Sequence, residues 1–489
     1  MKASKQLLRN FVTLFAGNVS GQFFFFLGLA YLARVLGPSG FGAWNFAQVC
    51  MLYLLRASEF GLEVIGIRET SQDPKTVGTW IATVVSLRFL LAVLLFGFAL
   101  LVSTTNLLPP GTTSLVLISA LAVFPMAFLL EWVFEARQEV GLISIARVLK
   151  GILFFLGAFF VVSSSEDAEK AAYLYVGSLA LPGFMILSVA ISRFGLDWSS
   201  LSFRSGLDAL RKSAPIGIAT LFSHYSLFAA TMVVGYFLSK EELGYFTAAH
   251  RIVLFLWAYI ISSMQRILLP SLSRYFRESL SHYKRFVGRF FRLSVLFAVP
   301  IGLIGTLCAT PLMKLLYSAQ YQSSGVVFAI VVWAFVLGSS RSILEIALMA
   351  SDRHRRFVNG MVFLSVMYTV LTPILTLLFG IVGASASVVL SELCYFIYLI
   401  LSFPFLEPAS LLKNVWKPIL AAMIVMASFV PLADLHPMLR VILGSAAFGI
   451  VVVGMKGVTL DDLDVIRSVI RREGGLNSQN EWPEKLRRD

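Results

Sequence analysis

Lysine and arginine fall in and beside every second gap between the long apolar stretches of this chain, an alternation that follows from threading one polypeptide repeatedly through a membrane. Fourteen apolar stretches can be marked between Phe11 and Lys456. Most of the 40 Lys and Arg lie in the N-terminal tail, in or beside alternate gaps, or in the C-terminal tail. The remaining gaps hold or border only Lys170, Lys240, Lys314 and Arg440. Cytoplasmic loops keep their Lys and Arg whereas translocated loops do not, so both termini are expected in the cytoplasm. The net charge of +13 is then a by-product of topology and no sign of a nucleic-acid partner.

Composition agrees. The chain is 58% hydrophobic and 14% charged, with mean hydropathy +0.82, against about 25% charged in an ordinary soluble domain. A bilayer core takes about 20 apolar residues per helix, and 489 residues accommodate fourteen such spans with short connections. No strand alternation is present, so helices are the spanning element. The first apolar stretch, 11–36, exceeds the roughly 7–15-residue core of a signal peptide and reads as a retained helix. Cys50, Cys308 and Cys394 sit in apolar stretches without metal or disulfide spacing.

The predicted spans are 11–36, 41–68, 77–102, 112–135, 139–163, 171–192, 211–237, 243–268, 289–310, 325–350, 357–380, 382–404, 415–431 and 438–456. Outward loops are short, 37–40, 103–112 and 164–170, the longest being 311–324. The inward loops 193–212 and 270–288 are longer and basic. A weak internal repeat lays Leu36–Gln48 on Leu238–His250, matching Gly42 to Gly244, Trp44 to Phe246 and Ala47 to Ala249. Each copy opens an even-numbered span, so the repeats are parallel and related by an axis along the membrane normal. The expected fold is an all-α integral membrane protein of about fourteen helices. Two pseudo-symmetric six-helix lobes surround a central cavity, and two C-terminal helices are appended. The segments are a cytoplasmic tail 1–10, an N-lobe 11–192, an inter-lobe loop 193–210, a C-lobe 211–406, two further helices in 407–456 and a cytoplasmic tail 457–489. In that tail Leu460, Leu463, Ile466 and Ile470 recur at helical spacing before Gly474-Gly475.

Ionisable residues inside a membrane cost a few kcal/mol each and are functional candidates by default. Span 2 carries Arg56, Glu59 and Glu63, spaced to share one face. Span 3 has Arg88, span 5 has Arg147 and Lys150, and span 8 has His250 and Arg251. Arg341 and Glu345 lie in span 10, and Glu392 in span 12. Arg56–Glu59 and Arg341–Glu345 are spaced to neutralise themselves. Arg147 and Lys150 have no carboxylate nearby on their own helix. A Glu from another helix neutralises them, or they snorkel to the cytoplasmic interface, or they face a water-filled cavity. In the first lobe Arg56, Arg88, Arg147 and Lys150 face a count of only Glu59 and Glu63. Such a surplus suits an anionic cargo, and guanidinium suits phosphate in particular. Arg88, Arg147, Lys150, Arg56, Arg251 and Arg341 are therefore the candidate substrate-binding cations. Glu59, Glu63, Glu345, Glu392 and His250 are the coupling or switch candidates.

Nothing in the sequence has the form of a phosphate loop, a metal-ligand cluster or a hydrolase elbow. Asp461, Asp462 and Asp464 stand at the start of the tail helix, where capping and the dipole favour acids. An enzyme, a metal centre and a bound cofactor are not expected.

Leu32-Ala-Arg34-Val-Leu-Gly37-Pro-Ser-Gly40-Phe-Gly42-Ala-Trp44, followed by Glu59-Phe-Gly-Leu62 and Arg68-Glu69, resembles the N-terminal signature of polysaccharide-biosynthesis flippases. These belong to the multidrug/oligosaccharidyl-lipid/polysaccharide exporter superfamily. Leu268–Arg274 and Ala350–Arg353 are similar to later landmarks, so the resemblance covers roughly residues 7–400. It implies passage of a polyprenyl-diphosphate-linked oligosaccharide, such as an O-antigen or exopolysaccharide unit, from the cytoplasmic to the outer leaflet. Passage would be by alternating access, coupled to an ion gradient or the membrane potential. It also implies a bacterial cytoplasmic (inner) membrane location, partners comprising the lipid-linked glycan, the phospholipid bilayer and other polysaccharide assembly proteins, and cationic cavity residues that hold the diphosphate. Arg34, Gly37, Gly40 and Gly42 lie in the motif, where gating is the expected role. Two other readings remain: a multidrug exporter of the same superfamily, which would place unpaired acids in its chamber, and a membrane-embedded polysaccharide polymerase or ligase, for which the outward loops are short.

Overall fold

The computed structural model describes residues 2–198, 203–403, 408–429 and 437–455. The tail helix expected at 460–470 lies outside them. Among the described residues all regular structure is helical, as chain segments in lipid require when each peptide group must find its partner internally. In chain order the helices are α1 (Lys2–Glu59), α2 (Leu62–Gln72), α3 (Val77–Ser103), α4 (Thr113–Ala120), α5 (Val123–Ala127), α6 (Glu131–Ala136), α7 (Val140–Val161) and α8 (Ala168–Phe194). They continue with α9 (Phe203–Phe237), α10 (Lys240–Glu278), α11 (Leu280–Leu307), α12 (Ala309–Leu316), α13 (Ser324–Ala350), α14 (His354–Ser402), α15 (Pro408–Phe429) and α16 (Pro437–Gly454).

Two helices are far too long for one crossing. At 1.5 Å per residue a straight α1 would run about 87 Å through a core of about 30 Å. It is instead broken at Gly37 (φ 67°, ψ 176°), with Pro38 starting the return limb. The 49-residue α14 is broken in the same way at Gly380 (φ 57°, ψ −140°). With α1 and α14 each crossing twice and α4–α6 forming one broken crossing, the described helices make fourteen crossings, as the sequence predicts.

Three local details depart from the sequence reading. The second crossing is not one helix over 41–68: Phe60 (φ 41°) and Gly61 (φ 74°) interrupt it. A Cβ on Gly61 would stand 2.9 Å from Ser213 O and Gly217 N of α9, so only glycine allows this approach. The fourth crossing, expected as 112–135, is divided into α4, α5 and α6. The basic stretch 270–288, expected as a loop, is helical on both sides of Ser279, which caps α11 by accepting from His282 N–H.

The chain packs as two compact units. One comprises Met1–Leu256, Ala309–Ala334 and Arg355–Tyr395; the other comprises Trp257–Cys308, Phe335–His354 and Phe396–Asp489. Packing therefore divides the chain at other points than the repeat does. Within the first unit the limb of α1 after Gly37 holds an enclosed run, with every residue from Phe41 to Val49 buried. The preceding limb lies on α7 through a seam of small residues. A Cβ on Gly21 would meet Arg147 O at 2.5 Å, and one on Gly151 would meet Gly21 O at 2.1 Å. Where small residues line a helix pair in a membrane, the backbones can approach this closely. The repeat also becomes a contact: Gly42 and Gly244, matched in the sequence, pack directly, a Cβ on Gly42 falling 2.7 Å from Gly244 N. In the second unit α11 packs on α15 and α16, with Phe291 stacked on Phe396 (5.9 Å) and Tyr283 O–H donating to Ala347 O (2.6 Å).

Candidate functional site

Charges inside the helices fall into two classes according to what neutralises them. In the first class each arginine has a carboxylate. Arg56 binds Glu59 at 2.5 Å. The break at Phe60–Gly61 then sends Glu63 away from that pair to Arg88, at 2.8 Å, so the single face expected for Arg56, Glu59 and Glu63 is not formed. Arg88 is fully buried and also donates to Leu129 O (3.2 Å), a carbonyl released by the interruption between α5 and α6. Arg147 donates to Glu131 (2.5 Å) and to Asn18 Oδ1 (2.6 Å), with Glu135 at 3.6 Å. In the second unit the buried Arg341 pairs with Glu345 and lies over the Trp257 ring (4.7 Å to its centroid).

These contacts correct the charge count made from sequence. Glu131 and Glu135 end the fourth crossing beside Arg147, so Arg56, Arg88 and Arg147 meet four carboxylates rather than the two counted. The signal was present as two acids four residues apart on a short helix, adjoining an apolar stretch.

The second class has no carboxylate among the described residues. Lys150 of α7 places Nζ 5.3 Å from the centroid of the Tyr175 ring of α8. Arg251 of α10 donates from both Nε (3.0 Å) and Nη2 (2.7 Å) to Oδ1 of Asn45, on the buried limb of α1. Both Lys150 and Arg251 are half-buried, so each combines reduced hydration with residual access. Asn45 and Tyr175 did not emerge from the sequence, where neither carries charge.

The remaining candidates are placed as follows. His250 is buried against the Phe246 ring (5.3 Å). Glu392, also buried, accepts from Tyr368 O–H at 3.2 Å. Arg34 donates to the last carbonyls of α12, Leu315 O (2.5 Å) and Leu316 O (3.0 Å), where a cation complements the helix C-terminus. Tyr321 O–H joins the same junction by donating to Ala33 O (2.9 Å). Gly37 supplies the turn, a Cβ on Gly40 would lie 3.2 Å from Ser165 O, and Gly42 forms the crossing with Gly244. No cluster of three metal-ligating side chains occurs among the described residues.

Residues 7–276 match the model of a family described as polysaccharide biosynthesis protein. The chain belongs to that family. It is 21% identical over 389 residues to the "Probable low-salt glycan biosynthesis flippase Agl15" of Haloferax volcanii, covering 79% of this chain and 81% of that one. Among solved structures it is similar to the lipid II flippase MurJ in an inward closed conformation, with TM-score 0.73, 14% identity and coverage of 90% and 97% of the two chains. It is also similar to an inward-facing multidrug resistance MATE family transporter of the MOP superfamily, with TM-score 0.66, 14% identity and coverage of 80% and 96%. This member of the polysaccharide biosynthesis protein family therefore has the fold of MOP-superfamily transporters.

Proposed function

We propose that this protein is a flippase that carries a polyprenyl-diphosphate-linked oligosaccharide across the cytoplasmic membrane for cell-surface polysaccharide synthesis. The observation that carries the reading is that Lys150 and Arg251, two intramembrane cations, have no carboxylate among the described residues, Lys150 resting on the Tyr175 ring and Arg251 on the Asn45 amide. Partly desolvated cations without counter-ions attract an anion strongly, and the guanidinium fork matches phosphate oxygens. The diphosphate binds there while the prenyl chain stays in lipid. Arg56–Glu59 is the ion pair that exchanges partners when the head group arrives, and Arg34, Gly37, Gly40 and Gly42 hold the opposite end closed until it does. Alternation of Lys and Arg between loops supports cytoplasmic termini, hence uptake from the cytoplasmic leaflet.

The multidrug reading requires acids free to receive an organic cation. Glu59, Glu63, Glu131 and Glu345 are instead each held by an arginine. A complementation assay tests the proposal in cells lacking this protein. K150A and R251A are expected to lower surface glycan severely at normal protein abundance, and the double variant to abolish it. Wild-type glycan levels with the double variant would refute the assignment.

A further inference from the structure

Arg56, Arg88, Arg147 and Arg341 each rest on a glutamate, whereas Arg251 rests on an amide. We propose that Asn45 is the positioning residue of the anion site: it fixes the Arg251 guanidinium through two hydrogen bonds while leaving its charge uncompensated for a diphosphate-bearing ligand. This rests on the reading of Lys150 and Arg251 as the head-group cations.

The amide orientation follows from its neighbours. Oδ1 receives both guanidinium N–H groups, and Nδ2 donates to Phe41 O at 2.8 Å. The reversed amide would set N–H against N–H at Arg251 and two oxygens against each other at Phe41. Asn45 is wholly buried, so the acceptor is rigid and the side-on grip on Nε and Nη2 sets the plane of the guanidinium. The remaining N–H groups of Arg251 make no hydrogen bond among the described residues. An aspartate of the same shape would make these two bonds more strongly and would neutralise the charge. Two more donors on the same limb of α1, Trp44 Nε1 and Gln48 Nε2, are buried (0% and 2% exposed) without an acceptor among the described residues. Gln48 lies one turn from Asn45, and Trp44 immediately precedes it. Of the two, Gln48 at i+3 shares the face of Asn45 and adds a buried N–H without an acceptor there, the balance an oxyanion corrects.

The test is binding of geranylgeranyl diphosphate to the purified full-length protein in detergent, with geranylgeraniol as the phosphate-free control, alongside thermal unfolding. N45D gains a charge partner for Arg251 but sets an oxygen against Phe41 O; it is expected to unfold cooperatively, as a folded protein, and to bind the diphosphate at least about tenfold more weakly than wild type. N45A is expected to melt lower and to bind with an affinity between those of wild type and R251A. A merely structural asparagine would leave N45D binding as wild type does, and that result overturns the inference. If R251A loses binding while N45D keeps it, Asn45 has no positioning role but the anion site stands. If R251A binds like wild type, the site reading itself falls, and this inference with it. Should N45D fail to fold, N45A decides, wild-type affinity counting against the proposal.

Discussion

Arg88 is enclosed completely, and its charge is held by Glu63, whose side chain is 35% exposed. A buried ion loses much more when its partner is deleted than when both are replaced by apolar groups. E63A is therefore expected to destabilise the protein by about 3–5 kcal/mol, and adding R88M to E63A to restore most of that loss. Thermal unfolding of the two variants in detergent checks it, and a double variant as unstable as E63A would contradict the account. At Asp167, in the turn before α8, the carboxylate receives Lys170 Nζ (2.8 Å) and the N–H groups of Ser163 (2.9 Å) and Ser164 (3.0 Å). These bonds hold its carboxyl well below the usual carboxylate range. Because the folded value is lowered, the stability it contributes is complete above the unfolded carboxylate value of about 3.9 and fades as pH falls below it. The melting difference between wild type and D167N should therefore shrink as pH drops from 5 towards 3 (about the carboxylate range). A pH-independent difference would show that the bonds do not favour the charged form. Which residues were ionisable could be read from the sequence, but which were paired could not. Glu63 faces Arg88 only because Phe60 and Gly61 turn the chain, and Glu131 reaches Arg147 only through packing between α6 and α7.

Among the elements, the seam between the first limb of α1 and α7 depends on hydrogen in place of side chains. G151A would set a Cβ 2.1 Å from Gly21 O, which is backbone and cannot rotate aside. The expected cost is about 1–3 kcal/mol. At Gly97 in α3 an added Cβ has no atom within 4 Å, so G97A should gain about 0.5–1 kcal/mol from helix propensity. Equal melting temperatures for G151A and G97A would show that the seam is not close-packed. Helix breaks differed in how plainly they were written. Gly37-Pro38 combines a left-handed residue with one that cannot continue a helix, and the sequence reading placed a turn there. Phe60–Gly61 and the interruptions around α5 lie inside apolar stretches, where hydropathy is blind to direction. Their cause is tertiary: the approach of α9 at Gly61 and the donation from Arg88 to Leu129 O. The basic stretch 270–288 misled for the opposite reason, since polarity marked the end of the lipid core but not the end of helix.

For the whole molecule, the count of fourteen crossings and the alternation of charge were legible, because bilayer thickness and the retention of Lys and Arg act on every segment alike. The proposed anion site was legible only in part. Lys150 and Arg251 stood out as charges in apolar sequence, but so did four arginines that proved to be paired, and the neutral residues Asn45 and Tyr175 beside the two cations had no sequence signal. The central claim is that a lipid-linked, diphosphate-bearing glycan crosses through that site. The most direct measurement is flipping of a fluorescent polyprenyl-diphosphate oligosaccharide in proteoliposomes, read by accessibility of the glycan to an external lectin, for wild type and for K150A/R251A. The account predicts wild-type flipping well above empty liposomes and a double variant reduced to the empty-liposome rate. Equal flipping by both proteins, at equal reconstitution, would contradict it.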